Sequence, residues 1–172
     1  MFRDIRRFKQ ALTENECIEI LNNNTNGVLA LSGDESYPYA VPLSYVYFDG
    51  CIYFHSASEG HKIDSVKRNG KASFCVVAED NIVPEKFTTY FKSVIAFGRV
   101  ELIEDEKEKI NALMLLAKKY SPCETVDSAK KEIDGSLKRV TILKFNIEHL
   151  SGKCAIEMLK KQNINYKRRL KL

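Results

Sequence analysis

The sequence predicts an α+β domain, a small antiparallel β-barrel with helices packed on its outside. Three observations carry that expectation. Strand-like runs follow one another through tight turns, which pairs neighbours antiparallel. Helical stretches with readable caps are interspersed among them. Residues 88–103 carry apolar side chains on both parities (Phe91, Ile95 and Phe97; Val94, Ala96, Val100 and Leu102), as a barrel wall covered from outside requires.

The elements follow in chain order. Thr13-Glu14-Asn15-Glu16 is a capping box, and Cys17, Ile18, Ile20 and Leu21 form the apolar stripe of the helix it opens. Asn22 to Asn26 end that helix. Residues 27–31 read as a short strand and 33–36 as its turn. Residues 37–48 make a long strand interrupted by Pro38 and Pro42. Prolines remove ladder donors, so this strand should bend and leave backbone free to meet a ligand. Asp49-Gly50 is a hairpin signal into the strand 51–55. A helix starts near Ser58 to Gly60, with Ile63 and Val66 inward, and stops at Asn69-Gly70.

Residues 71–78 form the next strand, and 79–86, with Pro84, a polar loop. After the strand 88–103, residues 104–119 make a helix with acids in its first turn and lysines in its last, which suits the macrodipole. Leu113, Leu116 and Ala117 lie on its core face. Residues 121–136 read as loop plus a short helix, and 139–147 as the final strand. There is no internal repeat and no linker.

A chain of 172 residues, 44% apolar and 29% charged, is expected to form one domain with a real core. That composition excludes disordered, collagen-like and coiled-coil architectures. No apolar run approaches the ~20 residues of a membrane span. The basic start, Met1 to Arg7, has no apolar segment behind it, so no secretory leader and no membrane partner are expected, and the cytoplasm is the predicted compartment. Five cysteines (Cys17, Cys51, Cys75, Cys123 and Cys154) form no C-x-x-C pair, so neither a zinc knuckle nor a thioredoxin motif is present, and no metal is expected. Much of the net charge of +4 lies in the tail that ends Lys167-Arg168-Arg169-Leu170-Lys171-Leu172. This tail is either a solvated extension or a contact for nucleic acid or an anionic surface. The first is the expectation, with 1–158 the folded domain and 159–172 a basic extension.

The stretch Ile52-Tyr53-Phe54-His55-Ser56-Ala57, followed by Gly60-His61-Lys62, is where chemistry is most visible. A helix that starts at Gly60 leaves its first amides unpaired, and these, with Lys62 and His61, make a site for an anion such as a phosphate. Gly60 permits close backbone approach, and Ser56 and Ser58 add hydroxyl donors. The simpler reading is a plain helix cap. His55, at the strand end, has three open roles: ligand hydrogen bond, general acid or base, or satisfied core histidine. No third group orients it, so a catalytic triad is unsupported. His149 has no metal-ligand spacing to the other histidines. With no G-x-G-x-x-G, Walker loop or H-E-x-x-H, an enzyme built on this chain would draw its reactivity from a cofactor.

The runs Tyr37-Pro38-Tyr39-Ala40-Val41-Pro42-Leu43-Ser44-Tyr45, Ile52 to Ala57, Gly60-His61-Lys62 and Ser93-Val94-Ile95-Ala96-Phe97-Gly98-Arg99-Val100 occur in order and with characteristic spacing. Together they resemble the FMN-binding split barrels related to pyridoxamine 5'-phosphate oxidase, and most of all the Nim-type 5-nitroimidazole reductases, over roughly residues 2–158. The resemblance implies a split barrel, a homodimer and FMN bound near the subunit interface. It implies that Pro42, Leu43, Ser44 and Tyr45 line the isoalloxazine, and that Phe54, His55 and Ser56 follow the ribityl chain or phosphate. His61 and Lys62, after Gly60, would hold the phosphate. Ser93 would approach the flavin, from its own or the partner chain, and His55 would also face the substrate.

The implied activity is reduction of a small flat acceptor such as a nitroimidazole, with a non-catalytic flavin-binding protein as the alternative. One departure stands out. Pyridoxamine-phosphate oxidases carry further basic residues for the substrate phosphate near the C-terminus, and the tail here has no match, which argues against vitamin B6 synthesis.

Overall fold

The computed structural model describes residues 2–159, so all but the first residue of the expected basic extension lies outside the described residues. The chain runs α1 (Glu14–Asn23), β1 (Asn26–Ser32), β2 (Pro38–Ser44), β3 (Val46–Phe48), β4 (Cys51–Ala57), α2 (His61–Arg68), β5 (Lys71–Val83), β6 (Thr88–Leu102), α3 (Glu106–Tyr120), α4 (Val126–Ser136) and β7 (Val140–Cys154), with short 3-10 turns between. All strands pair antiparallel in one sheet of order β2-β1-β5-β6-β7-β4-β3. Its two edges, β2 and β3, are one run of chain broken at Tyr45. The ladder is therefore not closed by hydrogen bonds; the chain itself bridges the split, and the fold is the expected α+β split barrel.

Local chemistry sets the element ends. The capping box at Thr13 is complete, with Glu16 reaching back to the Thr13 amide at 2.8 Å. Asp105 caps α3 and Thr125 caps α4 through their side chains. Asp49 and Gly50 both take positive φ, which gives a tight hairpin between Phe48 and Cys51. At the β6 bulge, a Cβ on Gly98 would lie 1.9 Å from the Asn146 carbonyl oxygen, so no larger residue fits there.

Inside the barrel, Tyr45, Phe54, Phe74 and Phe145 are fully buried, with Phe74 edge-on to both Tyr45 (4.9 Å) and Phe54 (5.1 Å). Ile63 and Val66 of α2 pack into the same core. A second cluster, including Val46, Tyr53, Ile142 and Leu116, lies beneath α3 outside the sheet. Among the described residues no helix is long and apolar enough to cross a membrane.

Three boundaries differ from the sequence expectation. The strand 37–48 breaks at Tyr45 rather than bending at its prolines, which sit in the edge strand β2, where a missing donor is harmless. Residues 79–83 are strand, not loop, beyond a bulge at Val77/Glu79. The last strand continues to Cys154, which puts His149 inside β7 opposite Phe97. In the last two cases the 15-residue β6 supplies pairing partners on both sides, and pairing overrides the polar local composition.

Candidate functional site

The β4–α2 joint is built around Gly60, whose φ of 115° and ψ of 171° only glycine adopts without strain. Its carbonyl accepts from the amides of Ile63 (2.8 Å) and Asp64 (3.1 Å). The amides of His61 and Lys62 find no acceptor among the described residues and lie at the positive end of α2. A Cβ on Gly60 would meet nothing within 4 Å, so the backbone here is open to close approach. Lys62 is half-buried and forms no ion pair among the described residues, and burial holds its pKa below the ordinary lysine value. A partly desolvated cation beside two free amides suits an anion that restores the lost solvation. The residues present therefore fit a phosphate.

Strand alternation distributes the other expected residues over two faces. On β2, Pro42 and Ser44 point outward and are exposed, whereas Leu43 packs against the core. On β4, His55 is exposed, while Phe54 and Ser56 on either side are buried. Tyr45, expected among the flavin-lining residues, sits differently from its neighbours on β2. Its ring is wholly inside the barrel, and its backbone N–H and C=O both engage the Tyr120 hydroxyl. The Phe54 ring is enclosed in the same way, so only its backbone is accessible from the joint. Ser93 faces outward on β6 and pairs with Lys153, eleven residues along β7 from Ile142, the partner of His55. At ~3.3 Å per residue, Ser93 and His55 of one chain do not share a site.

Two residues at this joint were not expected from sequence. The His61 imidazole stacks on Tyr39 with ring centroids 4.0 Å apart, and its Nε2 lies 3.5 Å from an oxygen of Asp34. Asp34 lies in the turn 33–36 and Tyr39 in the strand run that follows it; nothing local connects either to α2. A separate cavity of about 670 Å³ lies between α3, α4 and Phe48, lined by Met114, Leu115 and Val126 among others, and contains none of the expected site residues.

Comparison with known proteins matches this architecture. No curated protein matches the chain. Among solved structures, a candidate 5-nitroimidazole antibiotic resistance protein from Bacteroides thetaiotaomicron superposes with a TM-score of 0.73, at 23% identity over 84% of this chain and 86% of that one. A FAD-binding protein from Mesorhizobium loti is 28% identical over 85% of this chain and 97% of that one, with a TM-score of 0.57. A flavocytochrome from Azotobacter vinelandii gives a TM-score of 0.70 at 20% identity, over 88% of this chain and 72% of that one. The sequence profile described as pyridoxamine 5'-phosphate oxidase matches residues 13–154, from the α1 cap through the end of β7. The chain belongs to the pyridoxamine 5'-phosphate oxidase family.

Proposed function

We propose that this protein binds FMN and is an oxidoreductase that reduces a small, flat acceptor such as a nitroheteroaromatic. The observation that carries the reading is the β4–α2 joint: two free amides, an open glycine backbone and a half-buried, unpaired Lys62. A single phosphate monoester matches that donor set, and no second phosphate cradle or G-x-G-x-x-G is needed. Flavin binding by the Mesorhizobium loti relative supports the cofactor class. Bound FMN would supply the electron transfer that no side chain of the chain provides. Ser56, His61 and Lys62 hold the phosphate end, Pro42 and Ser44 flank the ring, and His55 offers a proton donor on the exposed side.

A homodimer belongs to the same reading. Val28, Val77, Ile95 and Phe97 are exposed on the outer sheet face, in the paired strands β1, β5 and β6, and Ser93 lies on that face opposite Val77. A second copy packed there would cover apolar surface that water otherwise meets, bring Ser93 to the other chain's flavin and enclose the exposed Pro42, Ser44 and His55.

The deciding experiment is the absorption spectrum of the purified protein, followed by titration with FMN, FAD and riboflavin and by turnover of a nitroimidazole with a chemical reductant. Yellow protein that prefers FMN and turns over supports the proposal. Yellow protein without turnover assigns a flavin carrier instead. Protein that neither carries nor takes up flavin overturns the reading.

A further inference from the structure

The turn between β1 and β2 reaches across α2. Glu35 and Ser36 have φ of 50° and 66°, consecutive non-glycine residues in the left-handed region where Cβ is crowded. The Gly33 amide donates to the Tyr37 carbonyl at 2.8 Å and closes the turn. Asp34 then meets both ends of the helix. One carboxylate oxygen accepts from Arg68 Nη2 at 2.9 Å, and the other lies 3.5 Å from His61 Nε2. Residues 61 and 68 are two helical turns apart and share a face. The His61 ring also stacks on Tyr39 at the start of β2.

An exposed surface histidine ordinarily samples several rotamers. This one is held by a carboxylate and by a phenol ring at once. The Asp34 pairs are solvent-exposed, and such pairs contribute little to folding, so global stability is a poor reason for the strained turn. Strain of this kind collects where geometry matters for function. Arg68 balances the charge of Asp34, so the carboxylate orients His61 without adding net negative charge beside the amides of His61 and Lys62.

We propose that Asp34 is a positioning residue for phosphate recognition: acting through His61, it fixes the imidazole and the first turn of α2 in the geometry that receives the phosphate. The inference rests on the FMN reading above. It is tested by titrating FMN and riboflavin, which lacks the phosphate, into wild-type protein, Asp34→Asn, Asp34→Glu, His61→Ala and the Asp34→Asn/His61→Ala double variant. Asp34→Asn is expected to weaken FMN by about 5–20-fold, the scale of one lost orienting polar contact, and to leave riboflavin within about twofold. Asp34→Glu should recover part of the loss. In the His61→Ala background the Asp34 change should add less than about twofold, because its route is gone.

Equal losses for FMN and riboflavin, or a full additional loss in the His61→Ala background, overturn the proposal. Proton NMR supplies a readout that needs no flavin. The Tyr39 ring should shift the His61 imidazole signals in the wild type, and Asp34→Asn should reduce that shift; an unchanged shift also overturns it. Wild-type protein that binds no FMN removes the parent reading, and this one with it. FMN binding that Asp34→Asn does not alter removes only this one.

Discussion

The Tyr120 hydroxyl, at the end of α3, accepts the backbone N–H of Tyr45 at 2.8 Å and lies 2.8 Å from the carbonyl oxygen of the same residue. It also meets the carbonyl of Thr25, just before β1. Tyr45 is the residue at which the edge strands β2 and β3 part, so its peptide groups have left the ladder and need other partners. One phenol supplies them and ties the split to α3. Beside it, Lys119 donates to the Asn24 carbonyl at 2.6 Å at the end of α1, and its ammonium stands 4.2 Å from the Tyr45 ring centroid. The barrel's opening is thus fastened from outside by two consecutive residues of one helix.

Tyr120→Phe keeps the ring and removes the fastening. The Tyr45 amide is left with only a long contact of 3.4 Å to Thr25. The expected cost is about 1–2 kcal/mol of unfolding free energy, the usual penalty for stranding a buried amide. Urea denaturation monitored by circular dichroism measures it, and a midpoint equal to that of the wild type would show that the split needs no such tie.

Where local chemistry decides structure, the sequence was enough. The Thr13–Glu16 box, the Asp49-Gly50 hairpin and the start and stop of α2 each depend on residues within one turn of one another. The break at Tyr45 was not readable, because Tyr120 lies 75 residues away and the nearer prolines gave a stronger signal. The strand character of residues 79–83 and the extension of β7 through His149 depend on a long β6, which no local window contains. The helix start at Gly60-His61-Lys62, where the phosphate is proposed to bind, was legible. Its link to Asp34 was not, since tertiary folding alone brings that turn across α2.

Lys62→Ala should weaken FMN by about 1.5–3 kcal/mol, the scale of a charge-assisted hydrogen bond to phosphate. Riboflavin affinity should not change. Quenching of flavin fluorescence during titration reports both constants, and an FMN constant equal to that of the wild type would remove the phosphate from this joint.

Light scattering should give twice the 19.7 kDa chain mass at micromolar concentration. Obligate interfaces of this class bury upward of ~2,000 Å² and resemble a divided core. Ile95→Glu places a charge in the centre of the exposed outer face and should abolish the dimer. A wild-type monomer, or a dimer indifferent to this substitution, would exclude that face.

The thiols separate by burial. Cys17 is buried, and desolvation, reinforced by Glu16 and Glu14, pushes its pKa up to about 11. Burial also raises Cys154, whereas Cys123 is exposed. Alkylation of native protein at pH 8, read by mass spectrometry of peptides, should mark Cys123 quickly and Cys17 and Cys154 only after denaturation. The same shift gives a pH dependence. From about pH 9 to 11 the unfolded Cys17 thiol ionises while the folded one resists, so its contribution to stability is full below pH 9 and declines above. Cys17→Ala should flatten that part of the stability profile relative to wild type.

His55 lies on the exposed face of β4, one residue before the buried Ser56 and five before Gly60. If it faces the acceptor, its imidazole donates to an oxygen that gains negative charge during reduction, and the bond strengthens as the charge grows. A general acid of this kind contributes ~10²–10⁴-fold in rate. His55→Ala should leave the protein folded and able to bind FMN, because its side chain has no hydrogen-bond partner among the described residues. Acceptor reduction should slow within that range. His55→Gln, which keeps a donor of similar reach, should recover part of the loss. Stopped-flow measurement on FMN-saturated variants separates this role from a purely structural one. A structural His55 would lower FMN occupancy or stability while any bound flavin reacted at the wild-type rate. Wild-type rates in both variants would take His55 out of the chemistry.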